Sequence, residues 1–284
     1  MGRLIITLAL IFHSTASLAL EIGVLAPHGA EKATAQWRAF MDYLSVELGQ
    51  PVKMVPVGAV QGVDQFNEYR FDFLLGNPVQ TAVVVDSMAA IPVASLRRPR
   101  GDAFGGVIVT KKESDIKTVD DLRRARIGGL GQWAAGGFVF QTALLSNMGF
   151  DPRTEAASFE IASDQTVLIE DLLANKYDAV FVRTGVVESF VETGYLDPDA
   201  IAIFNEQQDD VFPYVRSTIL YPEWFLVSQA TTDPQLITAV QSAAFALPPD
   251  TAAAVDAQIL GFGPPLDVTG VIEAMRAAAV PPYD

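Results

Sequence analysis

Three arginines stand where short apolar runs end: Arg97 after 91–96, Arg183 after 178–182, and Arg216 beside Ser217 and Thr218. A guanidinium is a planar fork of donors that stays charged, so it can grip a carboxylate or sulfonate through two hydrogen bonds. A surface ion pair with Glu188 or Asp178 is the plainer fate for Arg183, and the ligand role is favoured. Arg98 and Arg100 are expected in solvent. A second candidate is the stretch RIGGLGQWAAGGF at 126–138, which reads as a strand, a glycine-rich turn and a helix opening near Gly136. The first turn of a helix carries unpaired N–H groups and about half a positive charge, so Gly136 and Gly137 could hold an anion without a lysine. No Lys-Ser/Thr follows the glycines, and their intervals do not fit a dinucleotide fingerprint. An ordinary strand-to-helix turn accounts for the glycines equally well. Trp133 sits in this turn, as a site wall or as a packing anchor.

Two further groups could contribute. Asn77 followed by Pro78 is an N-cap signature, and a helix start facing a cleft would let Asn77 and Gln80 donate to a ligand. His28 lies in a loop after the first strand and is the one histidine outside residues 1–19. A lone histidine with no cysteine makes no metal site, so neither metal nor cofactor is expected. There is no Gly-x-Ser-x-Gly elbow and no paired His–Glu motif, so the chain reads as a non-enzyme.

The elements needed to position these residues are legible from periodicity. Apolar runs at 21–25, 52–57, 71–75 and 91–96 alternate with helical patterns, which implies a parallel sheet flanked by helices. A second strand–helix series runs over 125–204. Open sheets of this kind take ligands beyond the carboxyl ends of their strands, where Arg97 and Arg183 fall. The runs 104–110 and, later, 214–222 with 225–227 read as crossovers between two lobes. Helices follow Asp233-Pro234, Asp250 and Val268.

Residues 1–19 read as a cleaved secretory signal, with Arg3, an apolar core at 4–12 and small residues before the cut. The core is too short to anchor in a bilayer. The chain contains no cysteine, which removes disulfides and lipid attachment at a processed cysteine, so a free periplasmic protein is expected. Of 284 residues 50% are hydrophobic, enough for a large core, and the formal charge is −15. That surplus of acid argues against nucleic acid and against anionic membranes, both of which demand a basic face.

A family resemblance rests on an ordered set of short pieces: IGVL at 22–25 with Trp37, DFLLGNPVQ at 72–80, ASLR at 94–97, FGGVIVT at 104–110, IKTVDDL at 116–122, GGF at 136–138, Asp178-Ala179, and STILYPEW at 217–224. In that order they resemble the type II periplasmic solute receptors of the phosphate, phosphite and phosphonate kind. They are also similar to the periplasmic sensor domain of tetrathionate-sensing histidine kinases. The resemblance implies a two-lobed α/β fold with two crossover strands. One lobe would be discontinuous, 20–106 with 223–284, and the other would span 107–222. It also implies a monomer that closes like a hinge on a small anion and then meets an ABC permease or the extracellular domain of a sensor kinase. Phosphonate receptors carry hydroxyl side chains in the turn where this sequence has QWAAGG at 132–137. The resemblance therefore implies backbone donors without the phosphonate hydroxyls, and a sulfur oxyanion or sulfonate is the better expectation. Ligand contacts are expected from Asn77, Gln80, Arg97, Trp133, Gly136, Gly137, Arg183, Arg216, Ser217, Thr218 and His28.

Overall fold

The computed structural model describes residues 19–207 and 211–284. But for Ala19, the secretory signal lies outside the described residues. The first half of the chain runs β1 (Leu20–Leu25), α1 (Ala30–Leu48), β2 (Val52–Val57), α2 (Ala59–Asn67), β3 (Phe73–Gly76), α3 (Pro78–Met88), β4 (Ile91–Arg97), β5 (Ala103–Phe104), β6 (Gly106–Lys111), α4 (Val119–Leu122), β7 (Arg126–Gly129) and α5 (Val139–Asn147). There follow α6 (Pro152–Glu155), β8 (Ser158–Ile161), α7 (Gln165–Leu173), β9 (Ala179–Arg183), α8 (Val186–Glu192), β10 (Ile201–Phe204), β11 (Tyr221–Pro222), β12 (Phe225–Ser228), α9 (Pro234–Ala246), α10 (Ala252–Ala257), β13 (Gly261–Gly263) and α11 (Thr269–Ala277).

Local chemistry accounts for the main boundaries. In α1 the buried residues Ala33, Trp37, Phe40, Met41 and Leu44 recur at helical spacing, and Gly49 ends the helix in the left-handed region at φ 62°. Asn77 caps α3 by accepting from the Gln80 N–H at 2.9 Å, with Pro78 in the first turn. Asp164 does the same for α7, accepting from the N–H groups of Thr166 and Val167.

Two sheets define two lobes. The first has the order β13-β4-β12-β3-β1-β2 and the second the order β10-β6-β9-β7-β8. Parallel pairing joins β1 to β2 and β3, and β7 to β8 and β9. The all-parallel expectation fails at β12, which runs antiparallel between β3 and β4, and at β6, antiparallel to both β9 and β10. The segment containing Phe225 to Val227 is therefore a central strand of the first sheet and not a crossover. Periodicity could not reveal this, because a fully buried strand is apolar on both faces whatever its direction. The crossovers themselves are shorter than the sequence suggests. β5 and β11 pair antiparallel through Tyr221 with Phe104 and Pro222 with Ala103.

The lobes meet through a buried apolar contact. Phe138, Val139, Phe140 and Ala143 from the second lobe are buried in one cluster with Val79, Val83, Val271 and Met275 of the first and with Phe104 and Tyr221 of the crossovers. Phe140 stacks on Tyr221 with ring centroids 3.8 Å apart. Helix α11 lies against both α3 and α5, and beyond it the Ala279 carbonyl accepts from Arg153 Nη1 of the second lobe at 2.8 Å. Burial at this contact, with a smaller push from Glu273, raises Tyr221 to about 12. Its phenol is held protonated in the folded chain. The stability it lends is therefore complete below about pH 10, the unfolded value, and is lost as the pH climbs toward the folded one. Alkaline unfolding followed alongside phenolate absorbance should place the loss of stability in that interval, and Tyr221→Phe should remove it. Among the described residues no helix is long and apolar enough to cross a membrane.

Candidate functional site

The glycine-rich turn after β7 meets the end of β9 at the hinge. Ala135–Gly137 forms a single 3₁₀ turn, so α5 starts at Val139, slightly later than the sequence suggests. A Cβ on Gly136 would come within 3.0 Å of the Phe104 ring, 3.1 Å of the Gly105 carbonyl and 3.2 Å of Arg183 Cγ. Close backbone approach, and not turn conformation, requires glycine there. The turn is held from beneath by Gln141, which is fully buried and donates through Nε2 to the carbonyls of Gly136 at 2.8 Å and Val182 at 2.9 Å.

Arg183 leaves the end of β9 with its guanidinium 4.1 Å above the Phe104 ring. Its Nη2 donates to Glu223 Oε1, and Arg98 Nε stands 3.3 Å from the same oxygen. The side chains of Arg98 and Arg183 are 22% and 28% exposed, that of Glu223 only 2%. Burial lowers the Arg183 pKa, Glu223 opposes the fall and Arg98 adds to it. Arg183 Nε and Glu223 Oε2 are buried with no hydrogen-bond partner. Buried polar atoms in folded proteins are rarely left so, which makes this cluster the candidate site among the sequence-predicted residues. The ion pair weighed from the sequence is not the one formed, since Asp178 binds Arg126 and Glu188 accepts from the Val215 N–H.

Trp133 is half-buried against the lobe contact, and its carbonyl accepts from Asn77 Nδ2 at 3.0 Å. Asn77 thus caps α3 and ties the two lobes together. Asn77→Ala should cost about 1 kcal/mol for the cap and a further ~1 kcal/mol for the bridging hydrogen bond. Asn77→Asp keeps the capping acceptor and lacks the donor, so urea unfolding of the two variants should separate the terms.

Other expected contacts serve the fold. Gln80 is fully buried and donates to the Ala59 carbonyl at 2.8 Å. It fills the space beside Gly62 and Gly76 inside its own lobe. The Ser217 hydroxyl accepts from the Ile108 N–H at 2.8 Å and donates to the Phe204 carbonyl at 2.7 Å. The Thr218 hydroxyl accepts from the Gly106 N–H at 2.9 Å and donates to the Ile219 carbonyl at 2.8 Å. Both hydroxyls stitch the returning chain to β6. Arg216 donates to Gln207 Oε1 and to the Thr218 carbonyl, bracing the same segment. Arg97 is exposed and Arg98 turns inward, the reverse of the expectation, because adjacent residues at a strand end point to opposite sides. His28 is exposed in the β1–α1 loop. The carboxyl of Asp164, at the start of α7, is held low chiefly by the Val167 N–H, with His28 the smallest contributor.

Sequence reasoning passed over Glu223, Phe104 and Gln141 as site residues and expected Arg98 in solvent. Glu223 did carry a signal. It is the lone acid in the run ILYPEWFLV at 219–227, and a charge amid apolar residues demands a buried partner. Two cavities lie away from the lobe contact. One, of about 360 Å³, is lined by Glu21, Lys53, Arg70 and Asp72 at the amino ends of β1 to β3, and the other, of about 340 Å³, by Arg100, Asp102, Phe212 and Leu220 beside the first crossover.

Comparison with known proteins gives a consistent result. The chain is 27% identical over 236 residues to the tetrathionate sensor histidine kinase of Salmonella typhimurium, covering 80% of this chain and 39% of the kinase. Among solved structures, XAC2383 from Xanthomonas citri bound to ATP superposes with a TM-score of 0.72 at 14% identity, over 92% of this chain and 96% of that one. PhnD1 from Prochlorococcus marinus in complex with methylphosphonate gives 0.71 at 15% identity, over 91% and 97%. A binding-protein component of an ABC phosphonate transporter from Pseudomonas aeruginosa gives 0.66 at 14%, over 86% and 80%. At these identities the structures speak to the two-lobed fold of type II periplasmic binding proteins. The family of periplasmic substrate-binding proteins of phosphonate ABC transporters matches residues 22–269, and the chain belongs to that family of solute-binding proteins.

Proposed function

We propose that this protein is a non-enzymatic periplasmic receptor that closes on a small anionic solute at its hinge and presents the closed form to a membrane partner. The reading rests on Arg183, which stands at the carboxyl end of β9 beside the Gly136–Gly137 turn with a buried N–H that has no acceptor. Trp133 precedes the same turn and is joined to Asn77 of the first lobe by a hydrogen bond. Ligands of open α/β sheets bind in this position, and an arginine fork with adjacent backbone suits a sulfonate, sulfur oxyanion or phosphonate-like group.

The partner is an ABC permease or the extracellular domain of a sensor kinase. Similarity to a tetrathionate sensor kinase favours the second, although the chain spans only 39% of that protein. A thermal-shift screen of sulfonates, sulfur oxyanions, phosphonates and carboxylates, with sugars and cations as controls, tests the reading. At a hundredfold excess over the dissociation constant a true ligand adds about 2.7 kcal/mol of stability. A screen in which only sugars or cations stabilise the protein would sink it.

A further inference from the structure

The hinge cluster contains two guanidinium groups and one carboxylate. Arg98 and Glu223 are the charged groups acting most directly on Arg183, so the cluster carries one uncompensated positive charge. Glu223 is 2% exposed and its Oε2 has no hydrogen-bond partner. Its negative charge faces only the guanidinium groups of Arg183 and Arg98, both at Oε1. Arg183 Nε is a buried donor with no acceptor. The complement of this arrangement is one acceptor group bearing one negative charge.

We infer that Glu223 makes the hinge site selective for singly charged anions over doubly charged ones, an inference that rests on the anion-receptor reading above. A singly charged anion brings the buried cluster to neutrality. A doubly charged anion leaves one negative charge uncompensated in a site largely withdrawn from water, and buried net charge is strongly disfavoured. Without Glu223 the two arginines would have the reverse preference. The carboxylate thus acts as a fixed counter-charge that sets how much negative charge the ligand brings. By this criterion dianions such as tetrathionate and fully ionised phosphonates are poor ligands, and sulfonates or carboxylates with one ionised group are good ones.

Propanesulfonate and ethane-1,2-disulfonate form a suitable pair, similar in length and fully ionised at neutral pH. Calorimetric titration of the intact chain should show the monosulfonate binding at least about tenfold more tightly, the scale set by unfavourable like-charge contacts. Glu223→Gln keeps the shape and an acceptor for Arg183, and it should move the ratio at least about tenfold toward the disulfonate. Arg98→Gln should move it the other way, and it supplies the test if Glu223→Gln fails to melt cooperatively. An unchanged ratio in both variants would overturn the inference while leaving the anion receptor standing. Failure of every anion to bind any form of the chain would overturn the receptor reading and this inference with it.

Discussion

Arg183→Ala should abolish stabilisation by every anion that raises the melting point of the unsubstituted protein. It should also lower the stability of the unliganded chain by about 3 kcal/mol. From the sequence, removing this arginine is expected to leave the unliganded fold intact. The pairing with Glu223 changes that expectation, because the substitution strands a carboxylate that is 2% exposed. Breaking a buried pair by deleting one partner commonly costs about 3–5 kcal/mol. The lower end applies here, since Arg98 remains 3.3 Å from the same oxygen. Adding Glu223→Gln to Arg183→Ala should recover part of the loss, because the stranded charge disappears with its partner. Urea unfolding of the single and double variants, with and without anion, checks both parts. Full retention of the ligand-induced shift in Arg183→Ala would show that the anion site lies elsewhere.

Phe140→Ala is the second large effect expected. Phe140 is fully buried, stacked on Tyr221 and 5.5 Å from the Phe104 ring between centroids. Emptying such a site costs about 3–5 kcal/mol. Its position gives the loss a particular form, because the ring joins helix α5 of one lobe to the crossover strands and α11 of the other. Lost packing should loosen the closed arrangement before either lobe unfolds. Phe181 provides the control: it is also fully buried, but in a cluster formed by the second lobe alone. Small-angle scattering should show a larger radius for Phe140→Ala and an unchanged one for Phe181→Ala, at similar losses of stability. Indistinguishable scattering from the two would mean that the lobe contact does not hold the receptor closed.

The two-lobed architecture was legible because it rests on patterns that survive in one dimension. The helical spacing of Trp37, Phe40, Met41 and Leu44, the Asn77-Pro78 cap and the alternation of strands with helices all report local geometry. The direction of β12 was hidden, since burial on both faces erases the alternation that would distinguish a central strand from a connector. The candidate site was half legible. Arg183 could be placed from its position after a strand, yet its partner lies 40 residues away in sequence, and no local pattern encodes such a pair. Ser217 and Thr218 misled for a related reason. Hydroxyls next to an arginine suit an oxyanion, but these two face β6 and satisfy its backbone. Composition cannot say which way a side chain turns.

The placement of β12 bears on how the molecule assembles. Residues 225–228 fill the gap between β3 and β4, two strands that precede them by more than a hundred positions. Until the end of the chain arrives, β4 lacks both of its neighbours, β12 and β13, and β3 keeps an open edge; open edges invite pairing with other chains. The second sheet draws all its strands from one continuous run between β6 and β10 and can form without help from either terminus. Contacts between distant residues form late because loop closure must precede them. The second lobe is therefore expected to form before the first, an order that pulsed hydrogen exchange during refolding would read directly.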